Sequence, residues 1–228
     1  PESIAPVFEQ SHGVHGTLPG LVSITQCTEG GTLYPLAAIE ELADTAHRHD
    51  LLLHMDGARF CNALVALDAT PAEMSWKAGV DILSLGGVKN GLAYGEVLVV
   101  FNPEQVDRVD YRVKQSGQLT SKMRFLSGPW IPFIETHEWH RNALHANAMA
   151  KQLEKGLRSI EGIDILLPVE SNAVFCSMPE STYPAMLDRG WMFYPFPQMG
   201  GYRLMCSWDT EDSDIAAFLD DLRDLSAT

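Results

Sequence analysis

The sequence predicts an α/β protein with a mainly parallel sheet, followed by a smaller C-terminal α+β domain. Three observations support this fold class: short apolar strands alternate with helical stretches up to residue 105, helical periodicity dominates residues 106–160, and short strands return after residue 160. Strands separated by helices are typical of a parallel sheet that helices cover on both faces. We therefore expect part of a large domain at 1–105, connecting helices at 106–160 and a small domain at 161–228.

The elements of the first region follow from hydrophobic periodicity. A strand is predicted at 21–26, followed by a break at Gly30-Gly31 and by helical spacing over 36–46. The basic residues at 47–49 favour the end of that helix, because cations are stabilised at helix C-termini. The apolar segments that follow predict strands at 51–55, 80–85 and 97–101 and a helix at 59–66.

The remaining elements fall into a helical stretch and a mixed one. Helical patterns cover 106–114, 122–125 and 134–160, and Pro129 and Pro132 separate the last two. After residue 160 the pattern predicts strands at 163–167, 173–178 and 202–207 and helices at 182–189 and 213–225.

The composition is that of a globular protein with a sizeable core. The chain has 228 residues, of which 46% are hydrophobic and 20% charged. Its formal net charge of −14 disfavours nucleic acids and anionic membranes as partners. Its apolar runs are far shorter than the roughly 18 residues that a membrane-spanning helix needs, and no secretory leader is visible. We therefore expect a cytoplasmic protein that binds neither nucleic acid nor membrane.

The cysteines predict buried, reduced thiols. They lie far apart in the sequence and near apolar residues, at none of the spacings that metal ligands adopt: Cys27, Cys61, Cys176 and Cys206. We expect no metal site.

Two charged segments follow predicted strands and lie beside glycines. The first is HMDGAR at 54–59, and the second is SLGGVKNG at 84–91. In open parallel sheets ligands bind beyond the carboxyl ends of the strands. Because one helical crossover joins the two strands, Asp56 and Lys89 should project from the same edge, within about ten ångströms of each other.

A carboxylate and an amine on one sheet edge suit pyridoxal phosphate. This cofactor is held as a Schiff base by a lysine, and an aspartate keeps its ring nitrogen protonated. Gly86, Gly87 and Gly91 are expected to leave room for its flat ring. Each residue alone has a simpler interpretation, since Asp56 suits a helix N-cap and Lys89 a solvated loop. The two together favour the cofactor.

The same segments resemble the threonine aldolase family, which is part of the aspartate-aminotransferase-like (fold type I) pyridoxal-phosphate enzymes. The resemblance rests on HMDGARF with Asn62-Ala63 and on DILSLGGVKNG at 81–91. It extends over the chain through SITQ, SKMRFL, HANAMA, ESNAVF, Arg203-Leu204 and SWDT.

The resemblance implies a role for individual residues. Lys89 would be the Schiff-base lysine, and Asp56 would pair with the pyridinium nitrogen. Arg59 and Arg203 would hold the substrate carboxylate, which suits the planar guanidinium fork. His15, with His12 as a competing candidate, would lie near the substrate hydroxyl. Arg124 would approach the cofactor phosphate.

The sequence departs from the family pattern in two places. Val88 replaces the Thr or Ser that usually precedes the lysine, so a hydroxyl contact to the phosphate is absent. The chain also begins at Pro1, whereas the family has earlier strands, a Gly/Thr phosphate loop and a histidine that stacks on the pyridine ring. We therefore expect the C-terminal part of a longer enzyme.

The resemblance implies a homodimeric or homotetrameric aldolase that acts on small amino acids. It would cleave L-threonine, L-allo-threonine and other β-hydroxy-α-amino acids to glycine and an aldehyde. Two alternatives stay open. One is another fold-type-I enzyme, such as a β-eliminating lyase or an aminotransferase, and the other is a truncated fragment without activity.

Overall fold

The computed structural model describes Ile4, Pro6, Val7, His15 and residues 18–226. The N-terminal part of this region contains a four-stranded sheet whose spatial order equals the chain order. Its strands are β1 (Leu21–Thr25), β2 (Leu52–Gly57), β3 (Ile82–Gly86) and β4 (Glu96–Val100).

The predicted mainly parallel sheet is confirmed, with one antiparallel strand. β1, β2 and β3 are parallel, whereas β4 runs antiparallel to β3. The segment between β3 and β4 covers only residues 87–95. A parallel return needs a crossover of about a dozen residues or more, so this short connection turns the chain back.

Helices α1 (Leu36–Arg48) and α2 (Phe60–Leu67) follow β1 and β2 and pack on the first sheet. Side chains alternate along β2: Leu53 and Met55 are buried, whereas His54 and Asp56 are half-exposed. The apolar face therefore forms the core with the helices, and the polar face carries the chemistry-bearing residues.

The middle of the chain is helical, as predicted, but it is more divided. The helices are α3 (Val109–Gln115), α4 (Arg124–Ser127), α5 (Trp130–Glu135) and α6 (Glu138–Leu157). The continuous helix expected over 134–160 was wrong, because His137 adopts a left-handed conformation with φ 56° between α5 and α6.

The C-terminal region forms the predicted α+β unit. Its antiparallel sheet has the order β5-β6-β8-β7, with β5 (Asp164–Ile165), β6 (Ala173–Ser177), β7 (Tyr194–Phe196) and β8 (Gly201–Met205). Helices α7 (Thr182–Asp188) and α8 (Asp212–Ser226) accompany it. Its core also includes Leu153 and Leu157 of α6, so the long helix packs against this unit.

In the described part of the chain, no helix combines the length and apolar character that crossing a membrane requires.

Candidate active site

The two predicted motifs meet at the carboxyl edge of the first sheet. Asp56 lies opposite Ser84 in the β2–β3 register, and Lys89 follows β3 by three residues. Gly86 packs directly against the backbone of Ala58, since a Cβ atom at Gly86 would lie 2.5 Å from the Ala58 carbonyl oxygen. The predicted placement of Asp56 and Lys89 on one edge is confirmed.

The Asp56 carboxylate belongs to a tight turn. Its Oδ1 accepts a hydrogen bond from the Ala58 amide at 2.9 Å, while the residue that precedes α2 is Arg59. Asp56 is therefore not the N-cap of α2, which removes the simpler interpretation of this residue. Its Oδ2 has no hydrogen-bond donor among the described residues, so this oxygen is available to a ligand.

Lys89 lies in a short 3-10 helix (Val88–Asn90), and its side chain is exposed. The glycines around it do not leave room for a ring, so that expectation was wrong. A Cβ at Gly86 would meet Ala58, one at Gly87 would approach the Trp130 ring to 2.7 Å, and one at Gly91 would meet Asn142 Nδ2 at 2.5 Å. Glycine is required at these three positions because other protein atoms occupy the space that a Cβ would need.

The two predicted carboxylate-binding arginines lie close together, although Arg59 follows a strand of the first sheet and Arg203 belongs to the second sheet. Arg59 precedes α2, Arg203 lies on β8, and both line one small pocket with Thr28 and Ser171. Burial lowers the pKa of Arg59, and the neighbouring positive charge of Arg203 lowers it further. A guanidinium nevertheless stays protonated at neutral pH, so the pocket holds two positive charges.

Arg203 is poorly satisfied in this pocket. Its Nε is buried and has no hydrogen-bond partner among the described residues, and its NH1 lies 3.9 Å from Glu29 Oε2. A buried donor without a partner costs free energy. The pocket is therefore suited to an anion that accepts hydrogen bonds from a guanidinium.

Hydrogen bonds join the segment after β1 to Glu170 and Ser171, which precede β6. Ser171 Oγ donates to the Gly31 carbonyl at 2.8 Å, and Glu170 accepts from the Leu33 amide at 2.8 Å. Gly31 has φ +73°, and a Cβ there would lie 2.9 Å from Ala173 Cβ. Gly31 thus permits a close approach to Ala173 on β6, the strand that pairs with the β8 strand of Arg203.

Sequence reasoning missed a polar row on the face of the sheet that carries Asp56. His54 Nδ1 lies 2.8 Å from Ser23 Oγ, and His54 Nε2 lies 2.9 Å from Ser84 Oγ. The row joins β1, β2 and β3 directly beside Asp56. The period-two spacing of His54 and Asp56 is the signal that places both on one face.

Two predicted site residues, Arg124 and His15, are exposed. Arg124 is exposed at the start of α4, and its side chain makes no hydrogen bond or ion pair with the described residues. His15 is also exposed, and His12 lies outside the described residues. Their functional roles stay predictions.

The cysteines are free and buried, as predicted. Burial raises the pKa of the Cys27 thiol to about 11 and those of Cys61, Cys176 and Cys206 to about 12. All four therefore stay protonated and unreactive at neutral pH. The described residues contain no group of three or more His, Cys, Asp or Glu side chains suited to a metal.

Comparison with known proteins agrees with this arrangement. The sequence profile of the beta-eliminating lyase family matches residues 1–181, so the chain belongs to that family. It is 45% identical over 223 residues to a low specificity L-threonine aldolase of Pseudomonas sp. (strain NCIMB 10558). That alignment covers 98% of this chain and 64% of the relative, so the chain spans about two thirds of the relative's length.

Solved structures show the same fold. The threonine aldolase of Leishmania major matches with a TM-score of 0.88 and 27% identity, over 99% of this chain and 66% of that one. Tryptophan decarboxylase of Catharanthus roseus, at 18% identity, matches with a TM-score of 0.72 over 100% of this chain and 53% of its own. The fold is therefore that of the fold-type-I pyridoxal-phosphate enzymes, and the resemblance to threonine aldolases is confirmed.

Proposed function

We propose that the protein is a pyridoxal-phosphate-dependent aldolase that cleaves L-threonine, L-allo-threonine and other β-hydroxy-α-amino acids to glycine and an aldehyde. The observation that carries the proposal is the pocket of Arg59 and Arg203, in which the buried Arg203 Nε has no acceptor among the described residues. Arg59 follows Asp56 by three residues, just beyond the end of β2. An amino acid brings the carboxylate that this pocket accepts.

The residues present fit the cofactor in two respects. Lys89 exposes its amine beyond the end of β3, and Asp56 presents Oδ2 on the same edge. Pyridoxal phosphate, when bound, supplies a ring that accepts the electron pair left when the Cα–Cβ bond breaks. Lys89 would bond to its aldehyde, and Asp56 would hold the proton at the ring nitrogen.

The arginines would fix the orientation of the substrate. Two guanidinium groups that hold one carboxylate leave little rotational freedom about Cα, so the Cα–Cβ bond keeps a fixed direction. The pocket would also distinguish amino acids from amines, because an amine brings no carboxylate to accept a hydrogen bond from Arg203 Nε. Bidentate contacts favour arginine over lysine at both positions.

We assign two further roles from the resemblance. His15, exposed ahead of β1, would take the proton of the β-hydroxyl directly or through a water. Arg124 would hold the cofactor phosphate. Substitution of each by Ala separates these roles, since His15→Ala should lower turnover and Arg124→Ala should weaken cofactor binding.

Two alternative activities stay open, those of a β-eliminating lyase and of an aminotransferase. The matching profile is that of beta-eliminating lyases. A β-eliminating lyase or an aminotransferase would use the same lysine and aspartate as the aldolase. L-Threonine separates these activities by product. An aldolase releases glycine and acetaldehyde in equal amounts, whereas β-elimination releases 2-oxobutanoate and ammonia without glycine. Formation of 2-oxobutanoate as the main product would overturn the aldolase assignment.

We also propose a cytoplasmic homodimer or homotetramer. Buried, reduced cysteines support a reducing compartment. Exposed apolar side chains on α4 and α5, including Phe125, Ile131 and Ile134, support association between copies. Sedimentation of the purified protein tests this, and a monomer at micromolar concentration would contradict it.

A further inference from the structure

Lys89 lies in a turn that is closed by backbone hydrogen bonds and not by the Lys89 side chain. We define the Lys89 turn as residues 87–91. Backbone hydrogen bonds from Asn90 N and Leu92 N to the Gly87 carbonyl, at 3.0 and 3.1 Å, close this turn. The Lys89 side chain is exposed and has no hydrogen bond or ion pair with the described residues. Its position therefore depends on the backbone that carries it.

A carboxylate holds the start of the Lys89 turn. Glu96 lies at the beginning of β4, opposite Gly86 in the β3–β4 register. Its Oε2 accepts from the Gly87 amide at 3.2 Å, and its Oε1 accepts from the Val88 amide at 3.4 Å. Both carboxylate oxygens thus bind the two consecutive amides that precede Lys89. Hydrogen bonds to a charged acceptor are stronger than those between neutral groups.

An asparagine pair holds the other side of the Lys89 turn. Asn90 is 3% exposed, and its Nδ2 donates to the Trp139 carbonyl at 2.8 Å. Asn142 Nδ2 in turn donates to the Asn90 carbonyl at 2.9 Å. Both partners belong to α6. The approach requires glycine at position 91, which has φ +108° and no space for a Cβ beside Asn142 Nδ2.

We propose that Glu96 and Asn142 are positioning residues that clamp the Lys89 turn from opposite sides and thereby set where the Lys89 amine meets an aldehyde. This inference rests on the proposed function. One clamp comes from β4 and the other from α6, so each can be removed without the other. The α6 clamp also ties the Lys89 turn to α2, because Asn62 and Asn147 exchange two hydrogen bonds at 3.0 Å. α2 begins directly after Arg59.

The first test needs no cofactor. In the purified protein, amide hydrogen exchange of Gly87 and Val88 is followed by ¹H–¹⁵N NMR in Glu96→Ala and Glu96→Gln. Loss of the carboxylate should speed exchange at both amides at least about fivefold, with a smaller effect in Glu96→Gln, which keeps one acceptor oxygen. Glu104→Gln is the matched control, since Glu104 is an exposed carboxylate whose side chain contacts none of the described residues by hydrogen bond or ion pair.

The second test measures the lysine itself. The protein is treated with pyridoxal phosphate and borohydride, and peptide mass spectrometry gives the labelling of Lys89 relative to Lys114, an exposed lysine on α3. Glu96→Ala and Asn142→Ala should lower this ratio at least about fivefold while the unfolding midpoint stays near that of the native protein. Turnover should fall more than KM rises, because substrate binding uses the arginine pocket.

The outcomes are distinguishable. Preferential labelling of Lys89 in the native protein, with the same ratio and the same amide exchange in the variants, would overturn the clamp and leave the proposed function intact. Equal labelling of Lys89 and Lys114 in the native protein would overturn the proposed function and the clamp with it. Should Asn142→Ala fail to fold, the Glu96 variants decide the question.

Discussion

The guanidinium groups of Arg59 and Arg203 line one pocket although they are separated by most of the chain. One precedes the helix after β2, and the other lies on a strand of the C-terminal sheet. Two half-buried guanidinium groups share this pocket, and the buried Arg203 Nε has no hydrogen-bond partner among the described residues, which costs free energy unless an anion accepts from it. We therefore expect a shared anionic ligand to connect the two regions of the protein through this pair.

Substitution of Arg203 should weaken substrate binding. Arg203→Lys keeps the charge but loses the fork, and we expect KM for L-threonine to rise by about 10- to 100-fold, corresponding to roughly 1.5–3 kcal/mol for a charged hydrogen bond. Steady-state kinetics of Arg203→Lys and Arg59→Lys measure this effect. Arg223→Lys, on the exposed face of α8, is the control. An unchanged KM in both pocket variants would contradict the assignment.

Substitution of Asp56 should affect chemistry more than folding. Asp56→Asn retains a side-chain oxygen for the Ala58 amide, so the turn after β2 should persist. An amide cannot hold a proton on a ring nitrogen as a carboxylate does, so turnover should fall at least about 100-fold. Unfolding in urea should change by less than about 1 kcal/mol. A variant with native turnover would show that Asp56 has another role.

Gly86 should tolerate no side chain. An Ala Cβ at this position would lie 2.5 Å from the Ala58 carbonyl oxygen and would push the two motifs apart. We expect Gly86→Ala to lower the free energy of unfolding by about 1–3 kcal/mol, the usual cost of forced packing. Gly20→Ala is the control, because no atom of the described residues lies within 4 Å of a Cβ there. Chemical denaturation of both variants gives the comparison, and equal midpoints would contradict the close packing.

The buried thiols should make stability depend on alkaline pH. Their pKa values are raised from 9.0 to about 11 for Cys27 and about 12 for the other three cysteines. Between pH 9.0 and these raised values, the thiols of the unfolded chain lose protons that the thiols of the folded chain keep. The stabilisation is complete below about pH 9 and is lost as the pH rises toward 11–12. Urea midpoints should therefore fall from pH 8.5 to pH 10.5, and replacing the cysteines by Ala or Val should flatten this dependence.

Much of the fold follows from local patterns. The strands of the first sheet lie within two residues of their predicted bounds, because apolar runs and glycines mark them. β7 was missed because it has only three residues and contains Pro195, which an edge strand tolerates. The break at His137 was missed because no Gly or Pro marks it.

The site was predictable where it depends on the strand edge and unpredictable where it depends on distant contacts. The positions of Asp56 and Lys89 follow from the parallel register. The pairing of Glu96 with the Gly87 and Val88 amides depends on the antiparallel return of β4, which the strand pattern alone does not reveal. The approach of Asn142 depends on where α6 packs, and only the tertiary structure shows this.

The most direct test is the visible absorption spectrum of the purified protein mixed with pyridoxal phosphate. We predict that the native protein and Lys114→Ala gain a visible band that Lys89→Ala lacks, because the Lys89 amine follows β3 at the edge that presents Asp56. A band that persists in Lys89→Ala, or its absence from the native protein, would contradict the assignment of Lys89 as the residue that binds the cofactor.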